Sequence, residues 1–256
     1  MFYIGTMGFG YDDWCEVFYP AMMPARKYLA YYSRIFNAVE IDSSFYGAPR
    51  EQTIQRWVQS TPPDFVFCLK TPRTITHDAG LVGVDEEMRI FIQQARNLNE
   101  KLACILLQFP PSFSADKIST LESFVSRLPS DIRFAVEVRN PSWYQEEARS
   151  NEPILADVLR QYGICWASTD FPAVPARIMH TSDFLYIRWI GQHGSYERHN
   201  FERLDRSERL RDWWEFIGNY LDRVTAVLGF HNNDFAGFAP GTANRFKEIA
   251  DCYWWF

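Results

Sequence analysis

No stretch of this sequence approaches the roughly 18 consecutive apolar residues that span a bilayer, so no transmembrane helix is expected. Clustered lysine and arginine are also missing. With a net charge of −6 at pH 7, the chain as a whole repels polyanions, and nucleic-acid binding driven by basic clusters is disfavoured. The five cysteines make no CxxC pair and no zinc-like spacing; scattered through apolar runs, they read as free thiols. The N-terminus, MFYIGTMGFGYDDW, has no basic region and turns polar at once, unlike a signal peptide. A reduced, cytoplasmic protein is expected. Glycine-rich phosphate loops are absent too, since no strand-like run is followed by GxGxxG or by a P-loop signature. No low-complexity linker or solenoid repeat divides residues 1–256, which are expected to form a single domain.

What is present is a repeating alternation. Apolar residues make up 47% of the chain, enough for a sizeable core. Short strand-like runs occur at 2–6, 38–44, 65–70, 102–109, 134–139, 163–170, 184–190 and 225–232, the last being the least regular. Helical spacing lies between them, as in PARKYLAYYSRIFN, DEEMRIFIQQARNLN and SADKISTLESFVSRL, the last opening with Ser114 as a predicted N-cap. Trp213, Trp214 and Ile217 mark a seventh helix and TANRFKEIA an eighth. Eight strand–helix units in about 250 residues predict a (β/α)8 TIM barrel.

In such barrels the C-terminal strand ends form the floor of the active site. Reading each run to its end places Glu40 with Asp42, then Lys70, Gln108, Glu137 with Arg139, Asp170, Arg188 and finally His-Asn-Asn-Asp at 231–234. The stretch FAVEVRNPSW (134–143) shows the pattern well: Phe134, Val136 and Val138 form one apolar face, while Glu137 and Arg139 close the other. A salt-bridge layer is the structural alternative, but charges at so many strand ends, all on the catalytic side, point to a site. Glu40, Glu137 and Lys70 are the catalytic candidates, the glutamates as an acid–base or nucleophile pair and Lys70 as base or Schiff-base nucleophile. Arg139, Arg188 and Lys70 would clamp a phosphate or carboxylate. Gln108 and Asn232 would orient hydroxyls, with Asn233 a further substrate-binding candidate and Asp170 completing the ring. Aromatics make up 17% of the chain and gather after strands. Tyr11, Trp14, Tyr46, Trp143 and Tyr196 are the candidates for stacking on a ligand, whereas Phe18 and Phe45 read as caps of the barrel mouth. His77 reads as a hydrogen-bonding or acid–base group.

Three functions fit this pattern. The first is a metal-independent enzyme, a hydrolase or isomerase, acting on a small anionic or polyhydroxylated substrate such as a glycoside or sugar phosphate. The second is a metal-dependent phosphodiester or nucleic-acid-processing barrel of the apurinic-endonuclease type, suggested by fold analogy alone. The third is a non-catalytic ligand- or partner-binding module, in which the terminal YWWF (253–256) would be either a partner patch or part of a last helix packed on the first strand. No cofactor is expected. The oxygen-rich 231–234 segment beside Glu137 leaves a Mg2+ or Mn2+ site open.

Several motifs add a resemblance. IGTMGFGYDDWCEVFYP (4–20), VEIDSSFYGAP (39–49), TITH (74–77), LLQFPPSF (106–113), FAVEVRNPSW, YIRWIG (186–191) and FHNND (230–234) resemble the YecE-like family in order along nearly the whole chain. The resemblance implies a TIM barrel of undetermined activity, with polar residues gathered at its C-terminal mouth. Similar members often carry a histidine where this chain has Ile190; His193 lies three residues further on.

Overall fold

The computed structural model describes residues 1–146 and 153–252; the YWWF segment lies outside the described residues. Nine parallel strands form one sheet. In chain order they are β1 (Phe2–Met7), β2 (Ala38–Ile41), β3 (Val66–Lys70), β4 (Leu102–Gln108), β5 (Phe134–Glu137), β6 (Cys165–Trp166), β7 (Ser168–Asp170), β8 (Phe184–Trp189) and β9 (Ala226–His231). The outermost members of the sheet, β6 and β7, are separated only by Ala167. They are two halves of one strand: the first pairs with β5 and the second with β8. The Ala167 N–H donates to the Val136 carbonyl at 2.9 Å, so the sheet closes on itself as an eight-stranded barrel. The eighth position, β9, is regular and pairs with β1 and β8 throughout, while the irregularity falls in the sixth.

Two apolar layers explain the strand sequences. Inside the barrel lie Ala38, Cys68, Cys104, Leu106, Ala135, Cys165, Ala167, Tyr186, Leu228 and Phe230. Small residues dominate here because eight strands leave little interior room. Outside, Val39, Ile41, Phe67, Leu69, Val136, Ile187 and Val227 meet the helices. Both faces are therefore buried, as a parallel sheet requires. Cys68, Cys104 and Cys165 are free and buried, as their apolar surroundings imply. Gly5 is fixed by a close approach: a Cβ there would stand 1.9 Å from the Ala38 carbonyl oxygen.

The helices are α1 (Tyr28–Tyr32), α2 (Glu51–Ser60), α3 (Asp85–Ala95), α4 (Ile118–Val125), α5 (Ile154–Gln161), α6 (Ser207–Gly218), α7 (Asn233–Ala236) and α8 (Ala239–Cys252). No helix follows the sixth strand: residues 171–183 contain Pro172 and Pro175 and run as turns and irregular chain. Ser114 stands at the start of a 3-10 turn, but its hydroxyl meets the Asp116 carboxylate rather than capping a backbone N–H. No helix among the described residues is long and apolar enough to cross a membrane.

His231 ends β9 against the helix layer, its ring stacked on Trp189 at 4.2 Å and 8°. Neither ring nitrogen has a hydrogen-bond partner, and burial pushes its pKa down to about 3. Folding therefore holds His231 neutral where the unfolded chain binds a proton. Stability should fall as the pH drops from about 6.5 towards 3, this residue contributing up to about 1.4 kcal/mol per pH unit. Urea titrations across that range should show a shallower loss in His231→Phe; an unchanged slope would contradict the assignment.

Candidate active site at the barrel mouth

The C-terminal ends of β2, β5 and β8 bring Glu40, Glu137 and Arg188 together inside the barrel. All three are buried. Arg188 lies between the carboxylates. Its Nη2 donates to Glu40 Oε1 at 2.6 Å and its Nε to Glu40 Oε2 at 3.0 Å, a bidentate fork, while its Nη1 donates to Glu137 Oε2. The Tyr186 hydroxyl, two residues back on the inward face of β8, donates to Glu40 Oε2 at 2.7 Å. Arg139 Nε donates to Glu137 Oε1 at 2.6 Å. The glutamates thus do not face each other across an open cleft; they grip one guanidinium.

The same cation acts unequally on its two partners. Burial lifts the Glu40 carboxyl above its ordinary pKa, a lift that Arg188 only partly counters and that neighbouring Asp42 reinforces. Burial lifts Glu137 as well, but Arg139 and Arg188 together outweigh it and hold the carboxyl down at about 2. Two carboxyls a guanidinium apart are pushed in opposite directions, an arrangement that separates acid from base roles.

Above this base sit groups that solvent reaches. Asp42 begins the 3-10 turn Asp42–Tyr46 after β2, its side chain 33% exposed. The Ser44 hydroxyl lies 2.6 Å from both the Ile41 and Lys70 carbonyls, fastening this turn to the end of β3. Lys70, 12% exposed, places its Nζ 3.6 Å from Asp42, which also lies 3.7 Å from Arg188 Nη2. Burial, opposed in part by Asp42, lowers the Lys70 pKa. His77 closes the same side with its Nδ1 2.9 Å from the Thr76 hydroxyl; burial first, then Lys70 and Arg139, lower its pKa to about 4, so it is neutral at pH 7. Across the mouth, Arg139 Nη1 is 3.2 Å from His193 Nε2, and His193 Nδ1 is 3.5 Å from Asp234. Tyr11 donates its hydroxyl to the Met7 carbonyl at 2.6 Å.

Several other sequence-derived candidates are engaged in the scaffold. Trp14 is buried and donates its indole N–H to Asn233, whose oxygen also accepts from the Ala239 N–H, so neither is open to a ligand. Trp143 is buried too, donating to the Phe113 carbonyl at 2.6 Å from a short turn that Asn140 caps and Pro141 opens. Asp170 points away from the ring: Trp213 Nε1 and Arg209 Nε of α6 donate to it at 2.6 and 2.7 Å. Alternation explains this, because Cys165 and Ala167 face inward whereas Trp166 faces the helices, on the same side as Asp170. Gln108 turns its amide onto the Phe109 carbonyl, and Asn232 caps α7 by accepting from the Asp234 N–H at 2.9 Å. The Tyr196 ring lies under the Arg203 guanidinium at 5.5 Å. With its neighbours Gly191 and Asp234 it lines a cavity of about 330 Å3 beside the mouth. Tyr46 is 82% exposed at the rim. Among the described residues, no three His, Cys, Asp or Glu side chains converge as a metal site requires.

A family profile described as "Protein of unknown function DUF72" matches residues 3–253. The chain belongs to the DUF72 family. It is 34% identical over 274 residues to UPF0759 protein YunF of Bacillus subtilis, covering 98% of this chain and 95% of the relative. UPF0759 protein YecE of Escherichia coli K12 is 26% identical over 254 residues, 92% of this chain and 88% of the relative. The crystal structure of a DUF72 family protein from Thermotoga maritima superposes with a TM-score of 0.83 at 31% identity, covering 98% and 99% of the two chains. A DUF72 protein from Enterococcus faecalis, 20% identical, shares the fold with a TM-score of 0.79, covering 98% of this chain and 96% of that one. The YecE-like resemblance of the motifs is borne out, and with it the barrel.

In this DUF72 chain, removing Arg188 would leave two buried carboxylates without their shared cation. Arg188→Met should cost about 3–5 kcal/mol in urea unfolding. Adding Glu40→Gln and Glu137→Gln to that variant should restore part of the loss. A triple variant no more stable than the single one would show that the cluster is not electrostatically coupled.

Proposed function

We propose that this DUF72 protein is an enzyme that binds a small anionic substrate at the C-terminal mouth of its barrel and moves a proton on it. The reading rests on one observation: Lys70 and Asp42, both partly exposed, and Arg139, whose side chain is only 10% exposed, border the buried Glu40–Arg188–Glu137 cluster. Arg139 spends Nε on Glu137 and sets Nη1 against His193, which leaves Nη2 without a hydrogen-bond partner among the described residues and available to an anion. Lys70 supplies the second positive charge. Burial lowers its pKa and so eases release of its proton, and Asp42 at 3.6 Å is the carboxylate able to share that proton. Neutral His77 adds a hydrogen-bonding group beside Lys70. Glu40 and Glu137 act from behind, fixing Arg188 and Arg139 so that the positive groups need no reorganisation when the substrate arrives. Sugar phosphates and other small phosphates are the substrate class that this charge pattern fits.

The test is a thermal-shift titration with inorganic phosphate at fixed pH and ionic strength. At 100 times its dissociation constant the anion should stabilise by about 2.7 kcal/mol, roughly 5–10 °C for a domain of this size. Arg139→Ala should abolish most of that shift and Lys70→Met should reduce it. A wild-type protein indifferent to phosphate and to small sugar phosphates would overturn the proposal.

A further inference from the structure

The two cations that receive the anion share a second feature: each stands over an aromatic ring. Lys70 Nζ lies 4.2 Å from the centroid of Phe45, and the Arg139 guanidinium 4.9 Å from that of Phe171. Phe45 is the centre of a small aromatic array. His77 meets it edge-to-face at 4.8 Å and 79°, and Tyr46 at 5.4 Å and 81°. Tyr46, next in sequence to Phe45 and 82% exposed, has Phe45 as its one aromatic neighbour among the described residues. Its ring, largely exposed and separated from Lys70 by the Phe45 ring, is accessible to a further ring at the rim.

The amides that would recognise a polyhydroxylated substrate are each partly engaged by the scaffold. Gln108 is turned to Phe109, Asn232 to the α7 backbone and Asn233 to Trp14 and Ala239. Lys70 has the Phe45 ring against it, with His77 packed on that ring and the Asp42 carboxylate 3.6 Å from its Nζ. An aromatic face gains from stacking on another planar ring, and cations set over rings hold an anion beside them.

From this juxtaposition we propose that the site takes a phosphate carrying a planar aromatic ring, an aryl phosphate or a nucleoside monophosphate, with Tyr46 stacking on the ring while Lys70 and Arg139 hold the phosphate. The inference rests on the anion-binding reading above and names the substrate class it favours.

Isothermal titration of the full chain with inorganic phosphate, glycerol phosphate, glucose 6-phosphate, phenyl phosphate and uridine monophosphate separates the two. Phenyl phosphate and uridine monophosphate should bind at least tenfold more tightly than glycerol phosphate, and glucose 6-phosphate should resemble glycerol phosphate. In Tyr46→Ala, an exposed change that leaves the barrel intact, the tenfold preference should vanish while glycerol phosphate affinity stays the same. Phe45→Leu should weaken the preference in the same way. Equal affinity for phenyl and glycerol phosphates in the wild type, or a preference that survives Tyr46→Ala, overturns the aromatic subsite and leaves the anion site standing. Failure of every phosphate to bind overturns the anion site, and this inference with it.

Discussion

One guanidinium, buried in the barrel between two carboxylates, is the constraint on which the mouth of this protein depends. An isolated charge in such a place costs several kcal/mol, and pairing offsets that cost only when the remaining hydrogen-bonding groups are also satisfied. Arg188 meets the condition with a fork to Glu40 and a third bond to Glu137. Tyr186 and Arg139 then satisfy the outer oxygens of the carboxylates. Arg188 cannot move without leaving two buried carboxylates short of their shared cation. The cluster is rigid for that reason, and Lys70, Asp42 and Arg139 inherit their positions from it.

The strands beneath are adapted to carry this load. Alanines and cysteines inside the barrel leave room for the long inward side chains of Tyr186 and Arg188 on β8. The sixth strand divides its pairing at Ala167, so β5 ends at Glu137 without a partner alongside Arg139. Phe171, the residue after the second half of that strand, lies under the Arg139 guanidinium instead. The turn after β2 is tied to β3 through Ser44, which keeps Asp42 within reach of both Lys70 and Arg188.

Much of this was legible in the sequence, because strand alternation has a period of two and needs no knowledge of tertiary contacts. It assigned Glu40, Lys70, Gln108, Glu137 and Arg188 to the barrel interior. Asp170 was misplaced although its signal was present: counting from inward Cys165 puts it on the outer side with Trp166. The aromatic residues were harder. Trp14 and Trp143 follow strands as Tyr46 does, and residue type alone does not separate a ring that plugs the core from one that stands open at the rim. The joining of Glu40 and Glu137 through Arg188 was not legible either. It depends on how closely strands two, five and seven of the barrel approach across the interior, which closure and not local pattern decides. Proline in the segment after the sixth strand was the overlooked sign that one helix would be missing.

The most direct measurement is a carbon NMR titration of the glutamate side-chain carboxyls, assigned through Glu40→Gln and Glu137→Gln. Glu137 should titrate near 2 and Glu40 above the ordinary glutamate value of 4.5, although both bind the same arginine. Two carboxyls titrating together near the ordinary value, or in the reverse order, would contradict a shared buried guanidinium as the organising element of the site.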